Sequence, residues 1–243
     1  LIPIARTLMA DTETPIRVFQ HFYEEKHSFL LESVEGGVKW ARYSFIGTDP
    51  FMMLRAKNGK TVVEGQGETK VLEEKPLEVL KAFLRSYRSP ALEDLPRFTG
   101  GAVGFFGYDL LQYYEKLPAH RTDDLNMNDV EFMFCDQVIV FDHFKQQLKV
   151  IAHVHVPQAG TDAEIIAAYH ATCAKIDATI ERLKRPLPAL SMTHRPIPDD
   201  VELGEIKSNV TKEQFIANVE QAKEYIRAGD IFQVVLSQRF EIE

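Results

Sequence analysis

Two stretches of the 243-residue sequence place hydrogen-bonding side chains where an extended strand could present them to a small ligand. In SFLLESVEGG, residues 28–37, alternation sets Phe29, Leu31 and Ser33 on one face and Glu32 on the other, with glycines just beyond. An apolar row ending in a hydroxyl, beside a carboxylate, can hold an ammonium and an indole or amide N–H group. The same pattern also describes a strand leaving a core, and the residues leave both readings open. In IFQVVLSQRF, residues 231–240, Phe232, Val234, Leu236 and Phe240 are expected in the core. Ile231, Gln233, Val235, Ser237 and Arg239 then share a mixed face of the kind that lines a pocket.

Other features carry less chemistry. Gly100, Gly101, Gly104 and Gly107 lie in GGAVGFFGYD without the spacing of a phosphate loop, so close packing within a strand is the better account. His153 and His155 would share one face of a strand, yet no Cys, Asp or Glu at matching spacing completes a metal site. Asn209-Val210-Thr211 matches a glycosylation acceptor, but Thr211 already has a structural role as a helix cap. Asp123-Asp124 and Asp199-Asp200 read as solvated loop acids. No Ser-His-Asp set, Cys-His pair or carboxylate dyad can be assembled.

The chain is 45% hydrophobic, 26% charged and 10% aromatic, the composition of an ordinary globular protein. A net charge of −8 offers no broad attraction to nucleic acid or to anionic membranes, and neither is expected as a partner. Cys135 and Cys173 form no CxxC pair, which argues against a disulfide framework or a zinc site and for a reducing compartment. No apolar run approaches the roughly eighteen residues of a membrane span, and the N-terminus lacks a signal-peptide pattern. A cytoplasmic location is expected. The first residue is Leu1 within an apolar run, so residues upstream are expected as well.

The elements that must position these residues read as α+β, a complex sandwich of mainly antiparallel sheets with flanking helices. Strand-like runs IPIARTLM, SFLLESV, RYSFIGT, FMMLRAK and KTVVEG are separated by turn residues. GGAVGFFGYDL, EFMFCDQVIVFDH and QLKVIAHVHV follow. Helices are expected over residues 14–26, 76–88, 161–184 and 208–230, the third capped by Thr161 or Asp162 and the last by a Thr211–Gln214 capping box. RPLPALSMTHRPIPDDVELGE has four prolines and no periodicity, which gives a domain at 1–184, a Pro-rich connection at 185–206 and a second domain beginning at 207–243.

Three segments, LLESVEGGVKWARYSFIG at 30–47, PRFTGGAVGFFGYDL at 96–110 and SNVTKEQFIANVEQAKEYIRAGDIFQVVLSQRFE at 208–241, closely resemble the large subunit of anthranilate synthase, component I. The resemblance implies a magnesium-dependent lyase that adds ammonia to chorismate and eliminates pyruvate to give anthranilate, the entry to tryptophan synthesis. It implies a glutamine amidotransferase partner in a hetero-oligomer, and tryptophan as a feedback inhibitor bound against the LLES segment. Carried over by position, Leu31, Glu32 and Ser33 are the regulatory residues. Related enzymes that add water to chorismate place a lysine base where Gln233 stands. Ammonia is already a nucleophile as the free base, so an amide that orients substrate suits Gln233. The family's magnesium ligands, the remainder of its chorismate pocket and the second wall of its tryptophan pocket lie beyond residue 243. The chain alone is therefore expected to be inactive, with an exposed final strand. The runner-up implied by the resemblance is aminodeoxychorismate synthase component I. A different class of reading is a non-catalytic module that binds an amino acid or a partner.

Overall fold

A computed structural model describes residues 1–32, 42–65, 67–117, 123–157, 159–187 and 206–242. The chain forms two compact units, Leu1–Pro188 and Ala189–Glu243. Residues 188–205, most of the expected Pro-rich connection and the Asp199-Asp200 pair, lie outside the described residues.

In the first unit, one five-stranded sheet runs in the order β1 (Ile2–Met9), β10 (Gln147–Val154), β9 (Gln137–Asp142), β3 (Tyr43–Thr48) and β2 (Ser28–Leu31). The other runs β6 (Glu68–Leu72), β5 (Lys60–Gly65), β4 (Met52–Lys57), β8 (Val130–Cys135) and β7 (Gly101–Phe106). All the pairings in both are antiparallel. The fold is thus the expected α+β sandwich with flanking helices.

Strand periodicity explains the layers. In β9, Val138 and Val140 join Phe29, Ile151 and Cys135 in the core between the sheets, while Ile139 and Phe141 point the opposite way. There they meet Ile46, Leu148, Val150 and Ile176, the last contributed by helix α3 (Asp162–Leu183). With both faces covered, all six residues of β9 are buried. Helix α2 (Pro76–Ser86) closes the second sheet by placing Val79 and Leu80 against Leu54, Val63 and Phe134. Thr161 caps α3 through a full capping box: its hydroxyl accepts the Glu164 N–H, and the Glu164 carboxylate accepts the Thr161 N–H at 2.7 Å.

Several local expectations need correction. EFMFCDQVIVFDH is two strands in different sheets, with Asp136 at the crossing point. Periodicity could not reveal this break, because apolar residues continue on both sides of it. The first helix, α1, covers only Pro15–Phe19, after which turns carry Phe22 into the core at 2% exposure. Strand β6 was not anticipated; ETKVL is mostly exposed and lacks the alternation that marks a half-buried strand. GGAVGFFGYDL becomes β7 followed by a 3-10 turn at Tyr108–Tyr113.

The second unit holds helix α4 (Lys212–Ala228) and a two-stranded pairing of β11 (Lys207–Ser208) with β12 (Phe240–Glu241). The Thr211 hydroxyl accepts the Gln214 N–H, but the Gln214 side chain donates to Asn218, so only half of the expected capping box forms. The strand expected over 231–240 is absent apart from Phe240, and the residues assigned to its core face are not in a core. Phe232 is 93% exposed. A strand needs neighbours to receive its hydrogen bonds, and among the described residues of this unit only Lys207–Ser208 offers such an edge.

Candidate functional site

The end of β2 is built by its pairing with β3. Leu31 lies opposite Phe45 and Phe29 opposite Gly47, so these four positions share one face of the first sheet. Phe29 is sunk between the sheets, whereas Leu31, nearer the strand end, is 43% exposed. The expected alternation therefore holds for Phe29 and Leu31. Glu32 follows, exposed, and Ser33 lies outside the described residues. Gly47 makes room for the Phe29 ring, since a Cβ at position 47 would stand 2.2 Å from Phe29 Cε1.

The chain returns to the sheet at Arg42, and the anchor there was not visible in the sequence. The Arg42 guanidinium donates to both carboxylate oxygens of Asp142, 100 positions away, at 3.2 and 2.8 Å. It also lies over the rings of Tyr43 and Phe144. Asp142 accepts the N–H groups of Phe144 and Lys145 as well. Burial alone would raise its carboxyl, but Arg42 and these N–H donors outweigh burial and hold it below the ordinary carboxylate range.

Facing Phe29 and Phe45 is the segment that precedes β7. The Phe98 ring meets Phe45 edge-on at 5.3 Å and lies 6.5 Å from Phe29. The structure thus joins two segments far apart in the sequence, the SFLL strand with its partner β3 and the PRFTGG run. Phe45 and Phe98 were missed as site residues because the sequence marks them only as core. The glycines that follow pack as expected: a Cβ at Gly104 would stand 2.0 Å from the Glu131 carbonyl oxygen.

Behind this wall, His153 and His155 converge on Asp136. The Asp136 carbonyl can only accept, so His153 Nδ1 carries the proton it donates at 3.1 Å. His153 Nε2 is then free to accept from the Thr99 hydroxyl at 3.2 Å, which ties the segment before β7 to β10. Burial lowers the His153 pKa, with the Asp136 carbonyl opposing in part, so the ring is held neutral. The Asp136 carboxylate meets Lys175 Nζ at 2.7 Å and His155 Nε2 at 3.2 Å. Burial would raise it, but these two partners bring it below its usual range. Burial pushes the nearby Cys135 thiol up to about 12, which leaves it unreactive as a nucleophile.

Gln233 lies in the second unit, exposed and within the irregular stretch before β12. Among the described residues of that unit no further element is built around it, so the pocket face expected there is not formed. Among the described residues no group of three or more His, Cys, Asp or Glu is arranged to hold a metal ion. No described helix is long and apolar enough to cross a membrane.

With this geometry established, comparison with known proteins identifies the kind of chain it is. A family model described as chorismate binding enzyme matches residues 26–243. Anthranilate synthase component 1 of Acetivibrio thermocellus is 42% identical over 100% of this chain and 49% of its own length. The protein of the same name from Geobacillus stearothermophilus is 39% identical over 99% of this chain and 48% of its own. The chain therefore spans about half the length of the curated relatives it matches. In three dimensions it is similar to the crystal structure of anthranilate synthase component I from Streptococcus pneumoniae TIGR4. That match has a TM-score of 0.63 and 28% identity over 96% of this chain and 48% of the other. Matched along nearly its whole length in sequence and in structure, the chain belongs to the chorismate binding enzyme family.

Proposed function

We propose that the chain works as part of an anthranilate synthase component I, a lyase that converts chorismate and ammonia to anthranilate, pyruvate and water. The observation that carries this reading is the match to anthranilate synthase component 1 over 100% of the chain at 42% identity. In this reading the first unit is regulatory and structural, a glutamine amidotransferase supplies ammonia, and magnesium bound outside the described residues supplies Lewis-acid chemistry when present. Leu31, Glu32 and Ser33 form one wall of an inhibitory tryptophan site. The exposed Leu31 beside Phe45 supports that role, because an apolar lip followed by a carboxylate suits an indole joined to an ammonium. Gln233 orients the substrate for attack by ammonia and takes no proton itself.

Genetic complementation tests the proposal. The whole protein that contains this chain is expected to restore growth without tryptophan to a bacterium lacking component I. Rescue of a folate-precursor requirement instead would indicate the aminodeoxychorismate reaction and reject the proposal.

A further inference from the structure

We infer that the first unit carries a second small-molecule site, for a compact zwitterion, between α3 and the ends of β3 and β9. A cavity of about 310 Å³ opens there, with Glu25, Thr48, Asp49, Gln137, Lys175 and Arg182 among its lining residues. Because side chains alternate along β3, Thr48 points to the α3 side of the first sheet, opposite to Phe45. The site is therefore separate from the lip at Leu31.

The donors come from one face of α3, where Lys175 and Arg182 stand two turns apart; the Thr179 hydroxyl between them is already donated to the Lys175 carbonyl at 3.2 Å. Arg182 is held in place on two sides: it lies 4.6 Å over the Phe22 ring, and its Nη1 donates to Glu25 at 2.6 Å. A guanidinium has five donors, so others remain for a carboxylate. Lys175 donates to Asp136 at 2.7 Å and likewise keeps donors in reserve. Asp49, just past the end of β3 with a φ of 51°, also lines the cavity; it is exposed and its carboxylate has no ion pair among the described residues.

Thr48 Oγ1 is buried and has no hydrogen-bond partner among the described residues. With less than 1 Å² accessible, the atom is out of a ligand's reach, and recognition rests on Lys175, Arg182 and Asp49. Gln137, itself buried, donates its amide to Thr179 at 2.6 Å and so orders the floor. Cationic donors on α3 and a carboxylate without an ion pair just past β3, lining one cavity, match a molecule with a carboxylate and an ammonium on one short skeleton. A simple anion would meet Asp49 unfavourably, and a simple cation would meet Arg182 and Lys175.

The test is an NMR titration of the full chain with glycine, alanine and glutamine, using acetate and methylammonium as single-charge controls. A zwitterion is expected to saturate shifts at residues of α3 and at Thr48 and Asp49, at least about tenfold more tightly than either control. Asp49→Asn, which breaks no ion pair of the fold, and Arg182→Gln should each weaken it about tenfold. Absence of saturable binding, binding unchanged in Asp49→Asn, acetate binding as tightly as glycine, or shifts confined to Leu31 and Phe45 would each overturn the inference. None of these outcomes bears on anthranilate formation.

Discussion

At the scale of single residues, Gly47 is the position where one added atom does most harm to the candidate site. Its missing Cβ is the space that the Phe29 ring fills. Gly47→Ala should destabilise the first unit by about 1–3 kcal/mol through overpacking, read as a lower denaturant midpoint with an unchanged slope. An unchanged midpoint would mean that the ring has room to move. His153 makes a prediction of opposite kind, about pH. Its folded pKa lies below the ordinary imidazole value of 6.5, so the unfolded chain takes up a proton first as pH falls. The stability it contributes is present above about pH 6.5 and is lost as pH drops through the lowered folded value. His153→Gln should flatten the stability profile as pH falls through and below about 6.5. The Asp136 carboxylate titrates at lower pH and leaves that window clear. An equal slope in both proteins would contradict the assignment. Phe29 and Leu31 could be placed on one face from the sequence, because strand alternation is a local property. Phe45, Phe98 and the Arg42–Asp142 anchor could not, because each depends on a partner distant in sequence.

At the scale of elements, the helices were legible at their N-termini. Thr161 and Glu164 close a capping box with local atoms only. The segment 231–239 shows the reverse. Its β-branched and aromatic residues have strand propensity, but that propensity mostly expresses packing against neighbours, which the described residues of this unit do not supply. Phe232 and Val235 are left 93% and 83% exposed, in a stretch whose composition favours pairing with other chains. The chain is therefore expected to self-associate in a concentration-dependent way. A Phe232→Lys and Val235→Lys double variant should sediment as a monomer while the first unit's melting transition stays in place. Self-association of the variant equal to the parent's would locate the contact elsewhere. The crossing at Asp136 was hidden for a related reason: two consecutive strands that each bury apolar residues look like one long strand until their sheets are known.

At the scale of the whole molecule, the two five-stranded sheets, their shared core and α3 form a unit whose stability comes from its own described residues. The proposed chemistry asks for more. The described residues contain no group of three or more His, Cys, Asp or Glu arranged to hold a metal ion, and Gln233 stands exposed in an irregular stretch. The 243 residues alone are expected to make no anthranilate. In the whole protein, Gln233→Ala should lower ammonia-dependent turnover about 100-fold with little change in stability, as loss of a positioning contact does. Retained turnover would remove Gln233 from the site. The most direct test of the central claim is to supply the whole protein with chorismate, ammonium and magnesium and identify the products by fluorescence and mass. Anthranilate and pyruvate in equal amounts, suppressed by tryptophan, is the predicted result. Formation of aminodeoxychorismate without pyruvate release, or no consumption of chorismate at all, would contradict it.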